Sequence, residues 1–273
     1  MRLFLQLVTV AAVAVAGSLA ASAVQWNTPL TLIIGLATAV LAVVAYRWIV
    51  RKTEHRVPEE IVKNNAALGR GLLLGGGLFV LVIANIALVG GYEVLGWGSL
   101  AGAIALFGFS AAAAVTEELV FRGILFRIIE GRIGTWAALT LTGLVFGISH
   151  LFNAHATVWG AFAIAVEAGG MLAAAYAATR NLWVPIGLHF AWNFAEGGLF
   201  GTQVSGTDAP QGLLHGVMSG PAAISGGEFG PEASLYSLLA GVIVTVVFMR
   251  LARRRGHIVP RRGRAAAAVT VLP

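Results

Sequence analysis

Long apolar runs separated by short polar connections extend along almost the whole chain. Most runs approach or exceed the roughly 20 residues that an α-helix needs to cross the hydrocarbon core of a bilayer. No alternating pattern of apolar and polar residues indicates a barrel, so helices must satisfy the backbone hydrogen bonds within lipid. The pattern predicts an all-α fold, a polytopic integral membrane bundle of about eight transmembrane helices. We expect spans near 3–24, 29–50, 69–91, 98–128, 134–152, 158–178, 182–200 and 234–251.

The segments between and after these runs predict the rest of the organisation. Residues 1–251 are expected to form the transmembrane bundle, with the polar region 52–68 on its cytoplasmic surface. The stretch 201–233 is rich in Gly, Pro and Ser, which is typical of an irregular loop. Residues 252–273 are basic and then rich in Ala, and we expect them to form a disordered cytoplasmic tail.

Composition and charge agree with a membrane protein. Of the 273 residues 58% are hydrophobic and only 11% are charged, whereas soluble domains carry roughly 25% charged residues. The sequence contains no Cys, which excludes disulfides, thiolate metal ligands and a thiol nucleophile.

The positions of the basic residues explain the net charge of +6 better than nucleic-acid binding does. With the amino terminus inside, the Lys and Arg residues cluster on the cytoplasmic side, and the opposite connections, including 201–233, contain none. The sequence therefore predicts a multi-pass cell-membrane protein with both termini in the cytoplasm. Membrane lipids are expected partners, since basic segments attract anionic headgroups, and no nucleic acid is expected.

The first apolar run has two interpretations. Arg2, the apolar stretch after it and the sequence Ala21-Ser22-Ala23 resemble a secretory signal peptide with its cleavage site. The run is longer than most signal-peptide cores, which favours an uncleaved helix. Cleavage would remove one span and leave the later topology unchanged.

Two carboxylates and one guanidinium interrupt the fourth span. Charged residues inside a bilayer are costly and usually functional. Glu118 and Arg122 are one helical turn apart on nearly the same face, so they can neutralise each other. Glu117 points to a different face and is available as a base. A structural ion network of all three residues is the alternative.

The fifth and seventh spans contribute further polar side chains. Phe146 and His150 are one turn apart on a shared face of the fifth span. His189, Asn193 and Glu196 follow each other in the seventh span at spacings that form one polar stripe. Such a stripe must face protein or a water-filled cavity. We expect Phe146 and Glu196 to support a site in which the other three act.

A lone carboxyl group in the sixth span, that of Glu167, is costly enough to predict a paired or cavity-facing position.

These residue types predict peptide hydrolysis by one of two routes. In the first, Glu117 with His150 beside it takes a proton from water, and His189 and Asn193 donate hydrogen bonds to the oxyanion. In the second, Glu117, His150 and His189 hold Zn with an open position for water. The residues alone leave both routes, and hence the cofactor, open.

The motifs occur in a fixed order on three spans: Glu117-Glu118-x-x-x-Arg122, Phe146-x-x-x-His150 and His189-x-x-x-Asn193. This ordered triple resembles the CAAX protease and bacteriocin-processing enzyme family, also called the Abi family, and in particular its type II CAAX prenyl endopeptidases. The resemblance lies in the region 100–200.

The resemblance implies an intramembrane endopeptidase in which the first Glu of the pair and His150 activate water. It further implies an oxyanion role for His189 and Asn193, and a supporting role for Glu118 and Arg122. The family is described both as metalloproteases and as glutamate-dependent enzymes. Its substrates are peptides or proteins, prenylated in one branch.

Two other functions compete with proteolysis. One is a catalytically silent membrane scaffold or immunity-type protein that binds a peptide partner. The other is a proton or ion transporter, which the apolar third and eighth spans disfavour because they offer little to extend a polar path.

One geometric difficulty concerns depth in the membrane. Counted from the cytoplasmic end, His150 lies roughly 24 Å deep and His189 roughly 10 Å deep at 1.5 Å per residue. A shared site therefore requires tilted helices or a later start of the fifth span.

Overall fold

The computed structural model describes residues 1–261, and residues 262–273 lie outside the described part. Within residues 1–261 eight long helices account for most of the chain. They are α1 (Arg2–Ala23), α2 (Thr28–Glu54), α3 (Asn65–Leu88), α4 (Leu100–Ile133), α5 (Thr135–Ser149), α6 (Val158–Thr179), α7 (Trp183–Asn193, continued as π-helix over Phe194–Leu199) and α8 (Leu235–Arg254). Single turns of helix cover Glu59–Ile61, His150–Phe152, Ala222–Ser225, Gly227–Phe229 and Pro231–Ala233. The predicted polytopic helical membrane fold is confirmed.

Seven of these helices, all except α7, are long and apolar enough to cross a membrane. The predicted span 182–200 does form α7, but its 11 α-helical and 6 π-helical residues extend only about 25 Å at 1.5 Å per residue. Asn181 caps the start of α7 by accepting a hydrogen bond from the backbone N–H of Trp183 at 3.0 Å. After Leu199 the chain turns at Gly201, whose φ is +65°. The seventh predicted span, 182–200, is therefore a shorter helix.

Helices α4 and α6 form the centre of the bundle, and α1 lies at its edge. In the most apolar stretch of α6, 78% of the residues are buried, compared with 61% in α4 and 11% in α1. Apolar side chains of α1 such as Phe4 and Leu19 are about two-thirds exposed (67% and 66%), as expected for a helix that faces lipid. The polar residues singled out in the sequence lie on the central helices and their neighbours.

Glycine allows the helices of the bundle to approach closely. A Cβ atom on Gly35 of α2 would lie 2.1 Å from the backbone oxygen of Gly108 in α4. A Cβ atom on Gly75 of α3 would lie equally close, 2.1 Å, to the backbone oxygen of Leu188 in α7. Small residues at such crossings permit backbone-to-backbone packing in membranes.

The segment 201–233, predicted as an irregular loop, contains a strand. Leu214–Met218 (β2) pairs antiparallel with Tyr92–Trp97 (β1), with Tyr92 opposite Met218. The two strands are far apart in the sequence, so no hairpin signal marks them. The pairing provides hydrogen-bond partners for backbone N–H and C=O groups that would otherwise lack them in these connections.

An ion network holds together the end of the bundle where most basic residues lie. Arg127 of α4 donates to both oxygens of Glu54 in α2 at 2.9 and 2.7 Å, and Arg2 lies 3.8 Å from the same carboxylate. Arg180, just after α6, pairs with Glu130 of α4. Basic residues from the start of α1, from α4 and from the end of α6 thus take part in ion pairs with Glu54 and Glu130.

The first part of the predicted tail, residues 252–261, contacts the bundle. Helix α8 continues to Arg254, and the residues after it contact the bundle. Arg255 donates to the backbone oxygen of Ala178 at 3.0 Å, and the Thr135 hydroxyl accepts from the backbone N–H of Val259 at 2.8 Å. These contacts fix residues 252–261, and the rest of the predicted tail lies outside the described residues.

A larger side chain at the α3–α7 crossing should destabilise the protein. We expect Gly75→Leu to cost about 1–3 kcal/mol or more of stability, because overpacking forces the two backbones apart. Gly77→Leu is the matched control, since a Cβ atom there meets nothing within 4 Å. Thermal unfolding of the purified variants in detergent measures the difference. Equal melting temperatures of the two variants would contradict the close crossing.

Acidification should destabilise the protein because Glu60 becomes protonated. This residue lies in the turn Glu59–Ile61, outside the spans. Burial opposes ionisation of Glu60, but hydrogen bonds from Arg56 and Tyr46 outweigh it and lower the pKa of this carboxyl group. Its contribution to stability is therefore present above the unfolded-state pKa of about 4.3 and is lost as the pH falls through the lower folded value. We expect wild type to lose its stability advantage over Glu60→Gln on acidification. The exposed Glu59→Gln should show no such trend in thermal unfolding.

Candidate active site

Glu118 and Arg122 form a fully buried ion pair in α4. Arg122 Nη1 donates to Glu118 Oε1 at 2.8 Å, and their side chains are 2% and 0% exposed. Arg122 Nη2 donates to the backbone oxygen of Ala168 in α6 at 2.9 Å. The pairing predicted from the one-turn spacing is confirmed. Because the pair is also hydrogen-bonded to α6, the cost of burying both charges is partly offset.

His189 of α7 joins the same pair from the other side. Its Nδ1 lies 3.0 Å from Glu118 Oε1, and its Nε2 lies 4.0 Å from Glu117 Oε2. A carboxylate accepts hydrogen bonds, so the ring donates Nδ1–H to Glu118. Glu118 therefore orients His189, and the opposite ring nitrogen faces Glu117.

Phe146 of α5 lies at the centre of these polar groups. The guanidinium carbon of Arg122 is 4.6 Å from the centre of the Phe146 ring, a cation–π distance. The ring centre is 4.6 Å from that of His150 and 6.3 Å from that of His189. The sequence predicted the proximity of Phe146 to His150, but gave no signal for its contact with Arg122.

His150 follows directly after α5, and its Nε2 has no hydrogen-bond partner among residues 1–261. Its Nδ1 is 2.8 Å from the backbone oxygen of Phe146. Since a carbonyl oxygen only accepts, Nδ1 carries the proton and Nε2 of the neutral ring is left as an acceptor.

One cavity of about 810 Å³ brings the predicted catalytic residues together. Its walls contain Glu117, His150, His189 and Asn193. The difference in depth counted along straight helices therefore does not keep His150 away from His189.

Glu117 is the most accessible of the acidic groups in α4. Its side chain is 31% exposed, while that of Glu118 is fully buried. Glu117 Oε2 has no hydrogen-bond partner among residues 1–261. As predicted, the two adjacent carboxylates point in different directions, one into the ion pair and the other to the cavity.

Part of the remaining cavity wall comes from segments that the sequence did not connect with the site. Helix α1 and the segment that follows it contribute Ser18 and Trp26, and the segment 204–208 contributes Ser205 and Asp208. Asn153 also lines the cavity. No local pattern marks these residues, because their place depends on how distant segments pack.

Glu196 does not reach this cavity. It is 0% exposed and lies in the π-helical end of α7, facing a separate group of buried carboxyl groups. The stripe predicted on α7 thus divides, with His189 and Asn193 at the cavity and Glu196 behind it.

The side chains of the proposed zinc set do not form a ligand set in this arrangement. Tetrahedral ligands about 2.0–2.2 Å from one ion lie about 3.3 Å apart, whereas His189 Nε2 and Glu117 Oε2 are 4.0 Å apart. Within residues 1–261 no group of three His, Asp or Glu side chains is placed to hold a metal ion.

Comparison with known proteins gives one match. Residues 79–195 match the model of the family described as type II CAAX prenyl endopeptidase Rce1-like. No curated protein and no solved structure matches the chain. The matched range contains all the residues of the three motifs, which confirms the resemblance predicted from them. Over residues 79–195, this multi-pass membrane protein is thus matched to the Rce1-like type II CAAX prenyl endopeptidase family.

Proposed function

We propose that this protein is an intramembrane endopeptidase of the CAAX type, which hydrolyses a peptide bond of a membrane-associated peptide or protein. The observation that carries the proposal is the single cavity shared by Glu117, His150, His189 and Asn193. Within residues 1–261, one Glu117 oxygen and one His150 nitrogen have no hydrogen-bond partner. Together with two hydrogen-bond donors, they are the groups that water-dependent acyl cleavage needs.

Water attack begins at Glu117. One proton of the water passes to the Glu117 carboxylate, while His150 Nε2 accepts a hydrogen bond from the other proton and orients the molecule. The water oxygen forms a bond to the peptide carbonyl carbon, and the carbonyl π electrons move to its oxygen. Collapse of this intermediate breaks the C–N bond, and the proton on Glu117 passes to the leaving amine.

His189 and Asn193 stabilise the oxyanion of the intermediate. Asn193 donates through its side-chain amide, and His189 donates through Nε2–H. Because Nδ1–H is already committed to Glu118 at 3.0 Å, His189 must carry both ring protons at this stage. The Glu118 carboxylate and the oxyanion itself offset that positive charge, since Glu117 holds the water proton at this stage.

The cavity favours a substrate with an apolar part. Apolar side chains, among them Ile34, Phe109 and Phe121, form a large part of its wall. We propose a lipid-modified carboxy-terminal peptide as the substrate class, in keeping with the matched family. We also propose that the basic end of the bundle, where both ends of the described chain lie, faces the cytoplasm.

Replacement of Glu117 tests the proposal directly. We expect Glu117→Gln to lower kcat for an internally quenched, farnesylated carboxy-terminal peptide by about 10²–10⁴-fold, because the amide cannot take a proton from water. Glu93→Gln, on the exposed strand β1, is the matched control. Unchanged cleavage by folded Glu117→Gln would exclude Glu117 as the base, and absence of cleavage by the wild-type protein would favour a non-catalytic peptide-binding scaffold. The same peptide without its lipid tests the substrate class.

Loss of an oxyanion donor should affect kcat more than KM. We expect Asn193→Ala to reduce kcat by about 10²–10³-fold, since the lost hydrogen bond strengthens only as charge develops on the carbonyl oxygen. Steady-state kinetics with the same peptide measure both constants. A rise of KM at constant kcat would instead make Asn193 a substrate-binding residue.

A further inference from the structure

Three buried carboxyl groups lie behind the catalytic cavity and take no part in the proposed chemistry. They belong to Glu167 in α6, Glu196 in α7 and Glu232 in the turn Pro231–Ala233, and they are 1%, 0% and 2% exposed. In the part of the chain that the structure describes, none of the three forms a salt bridge. An ionised carboxylate without a partner is very costly in such surroundings. We therefore treat these groups as neutral acids that can donate as well as accept hydrogen bonds.

A second, closed cavity lies between these acids and the catalytic residues. Glu167 and Glu232 line it from one side, and His189, Trp192 and Asn193 line it from the other. It has room for roughly one water molecule. Both carboxyl oxygens of Glu167 and the indole nitrogen of Trp192 are buried and have no partner among the described residues. A small cavity bordered by such groups is the kind that holds a structural water.

Glu232 connects this closed cavity with the catalytic one. The Ser205 hydroxyl donates to Glu232 Oε2 at 2.5 Å, and the Ser205 backbone oxygen accepts from Asn153 at 2.7 Å. Ser205 and Asn153 line the catalytic cavity, and Glu232 lines the closed one. Glu232 is thus held in the wall between the two cavities.

Like His189, Asn193 borders both cavities. Its neighbour on the stripe, His189, is oriented by a direct hydrogen bond to Glu118. Asn193 has no direct side-chain hydrogen bond within residues 1–261, yet an oxyanion donor must be held in place to be effective.

We propose that Glu232 is a positioning residue that, together with Glu167, binds a water molecule in the closed cavity, and that this water fixes the Asn193 amide toward the substrate. The inference rests on the proposed role of Asn193 in the endopeptidase. Glu232 touches no substrate and acts only through the water and Asn193.

Kinetics of two Glu232 variants test the positioning role. Glu232→Leu removes the hydrogen-bonding group, and we expect kcat for the farnesylated peptide to fall about 10²-fold, the scale of a misplaced catalytic group, with KM unchanged. Glu232→Gln keeps a neutral hydrogen-bonding group of the same shape and should restore most of kcat. Equal loss in both variants, or none in either, would overturn the proposal.

A double-mutant cycle separates positioning from a general structural effect. If Glu232 acts through Asn193, Glu232→Leu should have no further effect on kcat in an Asn193→Ala background. Additive losses would show an independent role and contradict the proposal. Ser205→Ala removes only the hydrogen bond to Glu232 and should lower kcat by less. This loss of kcat should also disappear in the Asn193→Ala background. Ser205→Ala replaces Glu232→Leu in the cycle if Glu232→Leu does not fold. Thr245→Val is the control, because the buried Thr245 hydroxyl has no hydrogen-bond partner in the part of the chain that the structure describes and lines neither cavity.

Infrared spectroscopy and a high-resolution structure can test the water site independently of the proposed peptidase activity. Infrared spectra of the wild-type protein in detergent should contain a protonated-carboxyl band that shifts in D₂O and weakens in Glu232→Gln. A high-resolution structure should show a water between Glu232 and Asn193 that Glu232→Leu lacks. If wild type cleaves no peptide but both signals are found, the endopeptidase fails and the water site stands. If the water is not found in wild type, the inference fails whatever the activity.

Discussion

The buried ion pair between Glu118 and Arg122 joins four helices of the bundle. Arg122 binds a carbonyl of α6 and packs over Phe146 of α5, while Glu118 binds His189 of α7. Both charges belong to α4, so this helix fixes the positions of the other three around it. Removing one partner of such a pair leaves an uncompensated buried charge, which costs about 3–5 kcal/mol.

The same pair explains how two adjacent carboxylates can serve different purposes. The charge of Glu118 is neutralised by Arg122, and Glu118 also accepts a hydrogen bond from His189. Glu117 is one residue earlier and therefore points about 100° away around the helix, into the cavity. A base for catalysis and an anchor for the structure can thus lie next to each other in the sequence.

The buried polar residues form two groups: a front group of charged residues next to the catalytic cavity, and a rear group of three carboxyl groups behind it. At the front, Glu117, Glu118, Arg122 and His189 offset one another's charges across short distances. At the rear, Glu167, Glu196 and Glu232 form no salt bridge within residues 1–261. Glu167 and Glu232 line the same small cavity as Asn193, and in our proposal they direct hydrogen bonds toward it without additional charge. Stretches of π-helix occur beside both regions, at Leu119–Phe126, Ala165–Gly170 and Phe194–Leu199, which is common near functional sites.

The sequence by itself determined the membrane fold, the approximate spans and the separation of Glu117 from the Glu118–Arg122 pair. All of these depend on local properties, namely the length of apolar runs and the angle between residues on one helix. Only the tertiary structure decided that His189 binds Glu118 across 71 positions, that Phe146 packs against Arg122, and that Glu232 reaches the rear of the site. It also decided the pairing of β1 with β2. Contacts between distant segments depend on helix tilt and on how closely two backbones approach at glycines such as Gly75. Neither can be predicted from the spacing of residues within a single segment.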